Sequence, residues 1–173
     1  LYTPPTVLGE NGKKGVIQVP SAAGGANWGG TGFDPETDML YVQAANILSL
    51  AHVSPGNPDR GVTSDYLIMG PMVVMGPQGL PLTKPPYSVV VGIDLSKGEI
   101  AWSVPHGDGP RDHPALKDLD LPPLGASSHG YLSSGGPLVT KTLLFVNQAQ
   151  LGPRMQVSET ELFMRAFDKA NGE

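Results

Sequence analysis

The chain repeats one unit of sequence, and this repetition constrains the fold more than any other feature. The first copy begins at Gly29-Gly30, continues through TGFDPETDMLYVQA and closes with VVVGIDLSKGEIAW, residues 89–102. The second copy begins at Gly135-Gly136, continues through PLVTKTLLFVNQA and closes with LFMRAFDKANGE. Each copy reads as glycine pair, strand, tight turn, strand, connection, strand and polar turn. Recurrence of this kind is typical of all-β proteins built from repeats.

The turns of both copies have residues suited to joining strands. The segment Asp34-Pro35-Glu36-Thr37 favours a type I turn, because Asp accepts backbone N–H bonds and Pro presets φ. Two further segments, 94–98 and 168–172, run from Asp to Gly across four steps, as short hairpin loops do. Glycine and proline together make up 23 + 18 = 41 of 173 residues, spread among apolar runs. We therefore predict an all-β protein with many turns.

The spacing of the copies predicts the domain organisation. We assign residues 1–173 to one partial β-propeller domain, with approximate blade units at 24–102 and 135–173. Long loops are expected at about 46–86 and 103–134, on one side of the sheets. Units of about four strands with such loops are typical of propeller blades. Because two blades cannot close a ring, we expect a fragment that does not fold stably or act as an enzyme alone.

Composition excludes several classes of function. The 11 basic and 16 acidic residues give a net charge of −5, and no basic block is long enough to follow a phosphate backbone. Nucleic acid is therefore not an expected partner. The chain has no cysteine, which excludes disulfides, thiolate metal sites and cysteine nucleophiles. Its apolar runs are far shorter than the roughly 20 residues that a membrane-spanning helix needs.

The segment GIDLSKGEIAW resembles the tryptophan-docking motif of quinoprotein dehydrogenases, the enzymes that use pyrroloquinoline quinone (PQQ). That motif runs Ala-x-Asp-x-x-Thr-Gly-x-x-x-Trp. Asp94, Gly98 and Trp102 match it, whereas Gly92 replaces the Ala and Lys97 replaces the Thr. In the family this Trp packs between neighbouring blades, so the resemblance implies a structural role for Trp102.

The second copy carries the same motif as RAFDKANGE. Ala166, Asp168 and Gly172 match, and Asn171 replaces the Thr. The order of segments also resembles the family from about Gly24 to the C-terminus, in the branch of membrane-bound glucose dehydrogenase and related sugar or polyol dehydrogenases. The resemblance implies an eight-bladed β-propeller, of which the remaining blades belong to the same protein.

The glycine-rich segment GGANWGG resembles the part of the family that contacts the cofactor. The resemblance assigns Asn27 and Trp28 to PQQ binding. An amide suits quinone and carboxylate oxygens, because it carries two donors and an acceptor. Two plainer interpretations stay open: Asn27 stabilises its own turn, and Trp28 packs in a core. The glycines either let backbone approach a flat ligand or allow tight strand crossing near the propeller axis.

The family's reaction is a two-electron oxidation of a sugar, polyol or alcohol hydroxyl by hydride transfer to PQQ. Ca²⁺ assists as a Lewis acid and an Asp acts as base. In the family these groups precede the Asn-Trp segment, so no catalytic or metal-binding residue is expected in this chain. The resemblance implies ubiquinone or a cytochrome as electron acceptor. It also implies a periplasmic location, with an N-terminal region outside this chain available for association with the inner membrane.

Two alternatives remain at this point. A non-enzymatic propeller scaffold that binds proteins in the cell envelope would share the docking repeat. Separately, the segment PHGDGPRDHP brings together four residues of metal-binding type, although their spacing fits no specific metal template. These residues are His106, Asp108, Asp112 and His113.

Overall fold

The protein is all-β in the computed structural model, which describes residues 3–21, 24–26, 29–70, 74–125, 136–150 and 161–173. These residues form eleven strands and three single-turn 3₁₀ helices. No helix among them is long and apolar enough to cross a membrane. The strands are β1 (Thr6–Val7), β2 (Val16–Gln18), β3 (Thr31–Asp34), β4 (Met39–Ala45), β5 (Ser49–Pro55), β6 (Tyr66–Met69), β7 (Ser88–Asp94), β8 (Glu99–Pro105), β9 (Leu138–Val139), β10 (Leu143–Gln150) and β11 (Glu161–Asp168). The 3₁₀ helices are Glu10–Gly12, Pro58–Arg60 and Pro77–Gly79.

The first repeat copy forms a four-stranded antiparallel sheet in the order β3-β4-β7-β8. The second copy forms a sheet in the order β11-β10-β9, also antiparallel. The strand-turn-strand pattern predicted from the repeat is confirmed at both places. The short turns that follow β3, β7, β9 and β11 lie at one end of the sheets, which we call the turn end. The long connections leave from the opposite end, which we call the loop end.

The hydrophobic core lies between these two sheets. Tyr41 and Val90 of the first sheet and Leu144, Val146 and Phe167 of the second form one buried cluster. Each of these side chains is less than 10% exposed. Burying such a side chain contributes about 1.5–3 kcal/mol relative to leaving it exposed. The sheets therefore pack face to face through their inner faces, as neighbouring blades of a propeller do.

A third sheet uses part of the segment predicted as a long loop. Within residues 46–86, β5 and β6 pair as an antiparallel hairpin, and β5 also pairs with β1 and β2 from the N-terminal region. The interpretation of this segment as loop alone therefore needs correction. Its strands escaped detection because they are short, separated by Pro and Gly, and paired with a segment that has no counterpart in the second copy.

The indole of Trp102 is held between two glycines from the two sheets. On one side it covers Gly92, its cross-strand partner, where a Cβ atom would lie 2.5 Å from Cε2 of the indole. On the other side it meets Gly172, where a Cβ would lie 2.7 Å from Cε3. A methyl group at either position would overlap the ring where it lies, so Gly92, which replaces the motif's Ala, lets the indole pack closely against its own sheet. The structural role predicted for Trp102 is confirmed.

Lys169 contacts the first sheet at the same interface through both its backbone and its side chain. Its carbonyl oxygen accepts hydrogen bonds from Trp102 Nε1 and from the Tyr41 hydroxyl, each at 3.2 Å. Its ammonium group forms an ion pair with Asp34 of the opposite sheet, and the two side chains are 11% and 5% exposed. The hydrogen bond from Lys169, followed by one from Thr37, holds the pKa of Asp34 well below its usual range. The charges are thus paired where the blades meet.

Replacing Trp102 with Ala should destabilise the protein by about 3 kcal/mol, because it removes the interblade ring and leaves a cavity between two glycines. Urea unfolding of the full-length protein measures this change in the free energy of unfolding. Glu99→Ala is the control, since Glu99 begins the same strand and its charged side chain is exposed. Equal losses of stability in the two variants would contradict the docking role.

Candidate functional site

The glycine-rich segment lies at the loop end of the first sheet. The carbonyl oxygen of Gly25 accepts a hydrogen bond from the backbone N–H of Ala45, the last residue of β4, at 2.8 Å. This bond places the segment beside the connections that leave the sheet. Asn27 and Trp28 lie outside the residues that the structure describes, so their contacts with a cofactor stay predictions.

Gly29 of the first repeat copy and Gly136 of the second meet at this end. A Cβ atom on Gly136 would overlap the carbonyl oxygen of Gly29, so two stretches of bare backbone cross here. This contact supports the tight strand crossing considered from the sequence. Beside Gly30 the space is open, since a Cβ there would meet no atom of the described residues within 4 Å. Among the described residues, the glycine segment thus combines a close backbone contact between the blades with open space beside Gly30.

A buried polar cluster joins the two sheets at the loop end. His106 follows β8 directly and is fully buried, with its Nδ1 3.1 Å from the amide nitrogen of Gln43 on β4. Across the interface, Arg165 on β11 donates from Nε to Gln148 Oε1, and Gln148 is 1% exposed. The ring of Phe167 meets the imidazole edge-on, with centroids 6.2 Å apart. This polar cluster lies at the loop end of the two sheets, opposite the Trp102 interface at the turn end.

The imidazole of His106 is neutral in this cluster. Burial, together with the nearby guanidinium of Arg165, lowers the pKa of His106 to about 4. A neutral ring that accepts from Gln43 at Nδ1 carries its proton on Nε2. Nε2 is buried and has no hydrogen-bond partner among the described residues. Protonation would place a second cation beside Arg165 in a buried position.

Asp108 links the connection after β8 to the second sheet. Its carboxylate accepts from Arg165 Nη2 at 2.8 Å and lies 3.5 Å from Arg111 Nη1. Nε2 of His113, five residues beyond, is instead 3.0 Å from the carbonyl oxygen of Gln78. The residues considered as a metal cluster therefore have different partners. Within the described parts of the chain, no group of three His, Cys, Asp or Glu residues could hold a metal ion.

The sequence interpretation missed the glutamines and the arginine of the polar cluster. Gln43 interrupts the apolar sequence of β4, and Gln148 of β10 is 1% exposed. A polar side chain at such a position needs a buried partner, which is a signal that the sequence contains. The sequence does not show which residue that partner is. Gln148 and Arg165 lie on different strands, and Asp108 is 57 positions away from Arg165 in the sequence.

The stability of the protein should fall as the pH drops from about 6.5 to about 4. The folded pKa of His106 lies below the unfolded value, so its contribution is complete above pH 6.5 and is lost on acidification to pH 4. The loss amounts to about 3 kcal/mol at most. Urea unfolding of the full-length protein at several pH values should show a shallower dependence in His106→Gln. His113→Gln should retain the wild-type dependence, and identical profiles for all three proteins would contradict the assignment.

Comparison with known proteins identifies the family. The family model described as the β-propeller domain of PQQ-type glucose, ethanol and alcohol dehydrogenases matches residues 1–173. A probable quinate dehydrogenase (quinone) from Xanthomonas campestris pv. juglandis is 26% identical, over 99% of this chain and 22% of its own length. A quinoprotein glucose dehydrogenase from Gluconobacter oxydans (strain 621H) is 29% identical, over 80% of this chain and 19% of its own length. Quinoprotein glucose dehydrogenase A from Acinetobacter calcoaceticus is 24% identical, over 99% of this chain and 21% of its own length.

These matches cover 80–99% of the chain, which itself spans about a fifth of the length of these curated relatives. The paired sheets, the Trp102 interface and the second motif copy agree with that assignment. The chain belongs to the β-propeller domain family of the PQQ-dependent glucose, ethanol and alcohol dehydrogenases.

Proposed function

We propose that this chain is part of a quinoprotein dehydrogenase that oxidises a hydroxyl group of a sugar, polyol or alcohol. The observation that carries the proposal is the close backbone contact of Gly29 with Gly136, next in sequence to the Asn27-Trp28 segment. Relatives named as glucose and quinate dehydrogenases support this enzyme over the alternative of a protein-binding scaffold. Hydroxyl oxidation is the chemistry common to those names.

The glycine segment at the loop end suits the approach of a flat cofactor. A Cβ atom on Gly30 would meet no atom of the described residues within 4 Å, so the backbone there leaves room for a ring system. Bound PQQ would supply the acceptor for the hydride that leaves the alcohol carbon. In our proposal the Asn27 amide donates to oxygens of the cofactor and orients it, while Trp28 covers its surface and excludes water.

The remaining chemistry is assigned to other parts of the longer protein. We propose that the base, an Asp, and the ligands of Ca²⁺ come from blades outside this chain, as in the family. The blades described here then hold the cofactor against that machinery. Electrons pass to a quinone or a cytochrome at the inner membrane, and the reaction takes place in the periplasm. The names of two relatives specify a quinone, which favours ubiquinone as the acceptor.

Removal of the Asn27 amide should weaken PQQ binding. In the full-length protein, Asn27→Ala should raise the Kd for PQQ by about tenfold, the loss of one to two hydrogen bonds. Asn46→Ala is the control, because Asn46 is an exposed amide nearby that bonds only weakly to the Pro86 carbonyl oxygen, at 3.5 Å. Titration of PQQ into the apoprotein, followed by cofactor fluorescence, measures the Kd.

The same proteins test the activity. With PQQ and Ca²⁺ added, wild-type protein should reduce an electron-accepting dye when given glucose or another hydroxyl compound. Equal PQQ affinity in Asn27→Ala and wild type would refute the role of Asn27. Absence of any hydroxyl-dependent dye reduction by the wild type would refute the dehydrogenase itself.

A further inference from the structure

The connection that follows β8 closes on itself and rests on the start of β7. The backbone N–H of Gly125 donates to the Gly107 carbonyl oxygen at 2.9 Å, and that of Leu124 donates to the Asp108 carbonyl oxygen at 3.1 Å. A Cβ atom on Gly125 would lie 2.6 Å from the backbone nitrogen of Ser88, so the two backbones are in direct contact. We call the connection between Gly107 and Gly125 the closed loop. Its base is fixed against the first sheet.

A series of backbone hydrogen bonds runs from the closed loop to the glycine-rich segment. The carbonyl oxygen of Leu124 accepts from Tyr87 N at 2.9 Å, and the carbonyl oxygen of Tyr87 accepts from Asn46 N at 2.8 Å. The residue before Asn46 is Ala45, whose N–H donates to the Gly25 carbonyl oxygen at 2.8 Å. We call these bonds the backbone series. Through them, the placement of the closed loop affects the placement of the glycine-rich segment.

Arg165 on β11 joins the closed loop to the second sheet. Its Nη2 donates to Asp108 Oδ2 at 2.8 Å. Its Nε donates to Oε1 of Gln148, a side chain that is 1% exposed. The other cation beside Asp108 is Arg111, at 3.5 Å, but Arg111 lies in the closed loop itself. The ion pair with Arg165 therefore connects two sheets, whereas the pair with Arg111 connects two residues of one loop.

The ion pair between Arg165 and Asp108 is better suited to setting position than to adding stability. The two side chains are 38% and 40% exposed, so solvent screens their attraction. The guanidinium is planar and rigid, and two of its nitrogens are bonded at once, one to the loop and one to a buried amide. It thus defines both the distance and the direction of the closed loop from the second sheet.

We propose that Arg165 is a positioning residue for the cofactor. Its ion pair with Asp108 holds the closed loop, and through the backbone series it holds the segment of Asn27 in the placement that binds PQQ. The inference rests on the proposed dehydrogenase function and adds a residue of the second blade to it. Without the ion pair, fewer molecules have the segment in place, and the apparent Kd for PQQ rises in inverse proportion to that fraction.

Removal of the guanidinium should weaken PQQ binding only while the Asn27 amide is present. In the full-length protein, Arg165→Met should raise the Kd for PQQ by about three- to fivefold, less than the roughly tenfold rise for Asn27→Ala, because the ion pair is screened. The double variant should have a Kd within about twofold of that of Asn27→Ala, since Arg165 acts through that amide. Arg111→Met is the matched control and should bind PQQ within about twofold of the wild type.

Hydrogen exchange in the PQQ-free, full-length protein gives a readout that does not depend on the cofactor. The N–H donors of the backbone series at Ala45, Asn46 and Tyr87 should exchange faster in Arg165→Met than in the wild type. Amides in the middle of β7 should keep their wild-type exchange, which separates local release of the segment from a general loss of stability. Arg111→Met should show the wild-type pattern throughout.

Asp108→Asn should reproduce both effects of Arg165→Met, because it breaks the same ion pair and leaves the backbone of the closed loop unchanged. Unchanged exchange in both variants, with PQQ still bound by the wild type, would overturn the positioning role alone. A double variant of Arg165 and Asn27 whose Kd rises by the product of the single effects, roughly thirty- to fiftyfold, would also overturn it. Faster exchange in both variants of a protein whose wild type binds no PQQ would support the link from Arg165 to the segment and refute the proposed dehydrogenase.

Discussion

The position of the Trp102 indole between Gly92 and Gly172 determines how the two blades pack. The ring fits because neither glycine has a Cβ, and its Nε1 donates to the Lys169 carbonyl oxygen at 3.2 Å. The same carbonyl accepts from Tyr41, a central residue of the interblade core. The spacing and orientation of the sheets at the turn end therefore fix where their opposite ends lie, including the meeting of Gly29 and Gly136.

The two ends of the blade interface differ in their chemistry. The turn end combines an aromatic ring with a buried ion pair between Asp34 and Lys169. The loop end is joined by a neutral buried histidine and an arginine that reaches across to Asp108. Apolar docking provides most of the stability, since polar groups exchange bonds with water on unfolding. Polar contacts at the loop end instead specify how the connecting segments are placed.

The repeat and its turns predicted the strands of both blades and the role of Trp102, because these depend on local spacing and on a motif. The third sheet could not be predicted, since its β5 pairs with short strands on both sides that have no repeat counterpart. Lys169 occupies an unspecified position of the motif, and its ion pair spans 135 positions of sequence. The part of the proposed cofactor site formed by Asn27 and Trp28 remains a prediction from the family resemblance.

A crystal structure of the full-length protein with PQQ bound is the most direct test of the central claim, that these blades present the Asn27 segment to the cofactor. We predict that the Asn27 amide lies within about 3 Å of a PQQ oxygen, a normal hydrogen-bond distance. In the same structure the Trp102 indole should lie flat against Gly172. An Asn27 side chain bonded only within its own turn, with PQQ held elsewhere, would contradict the claim.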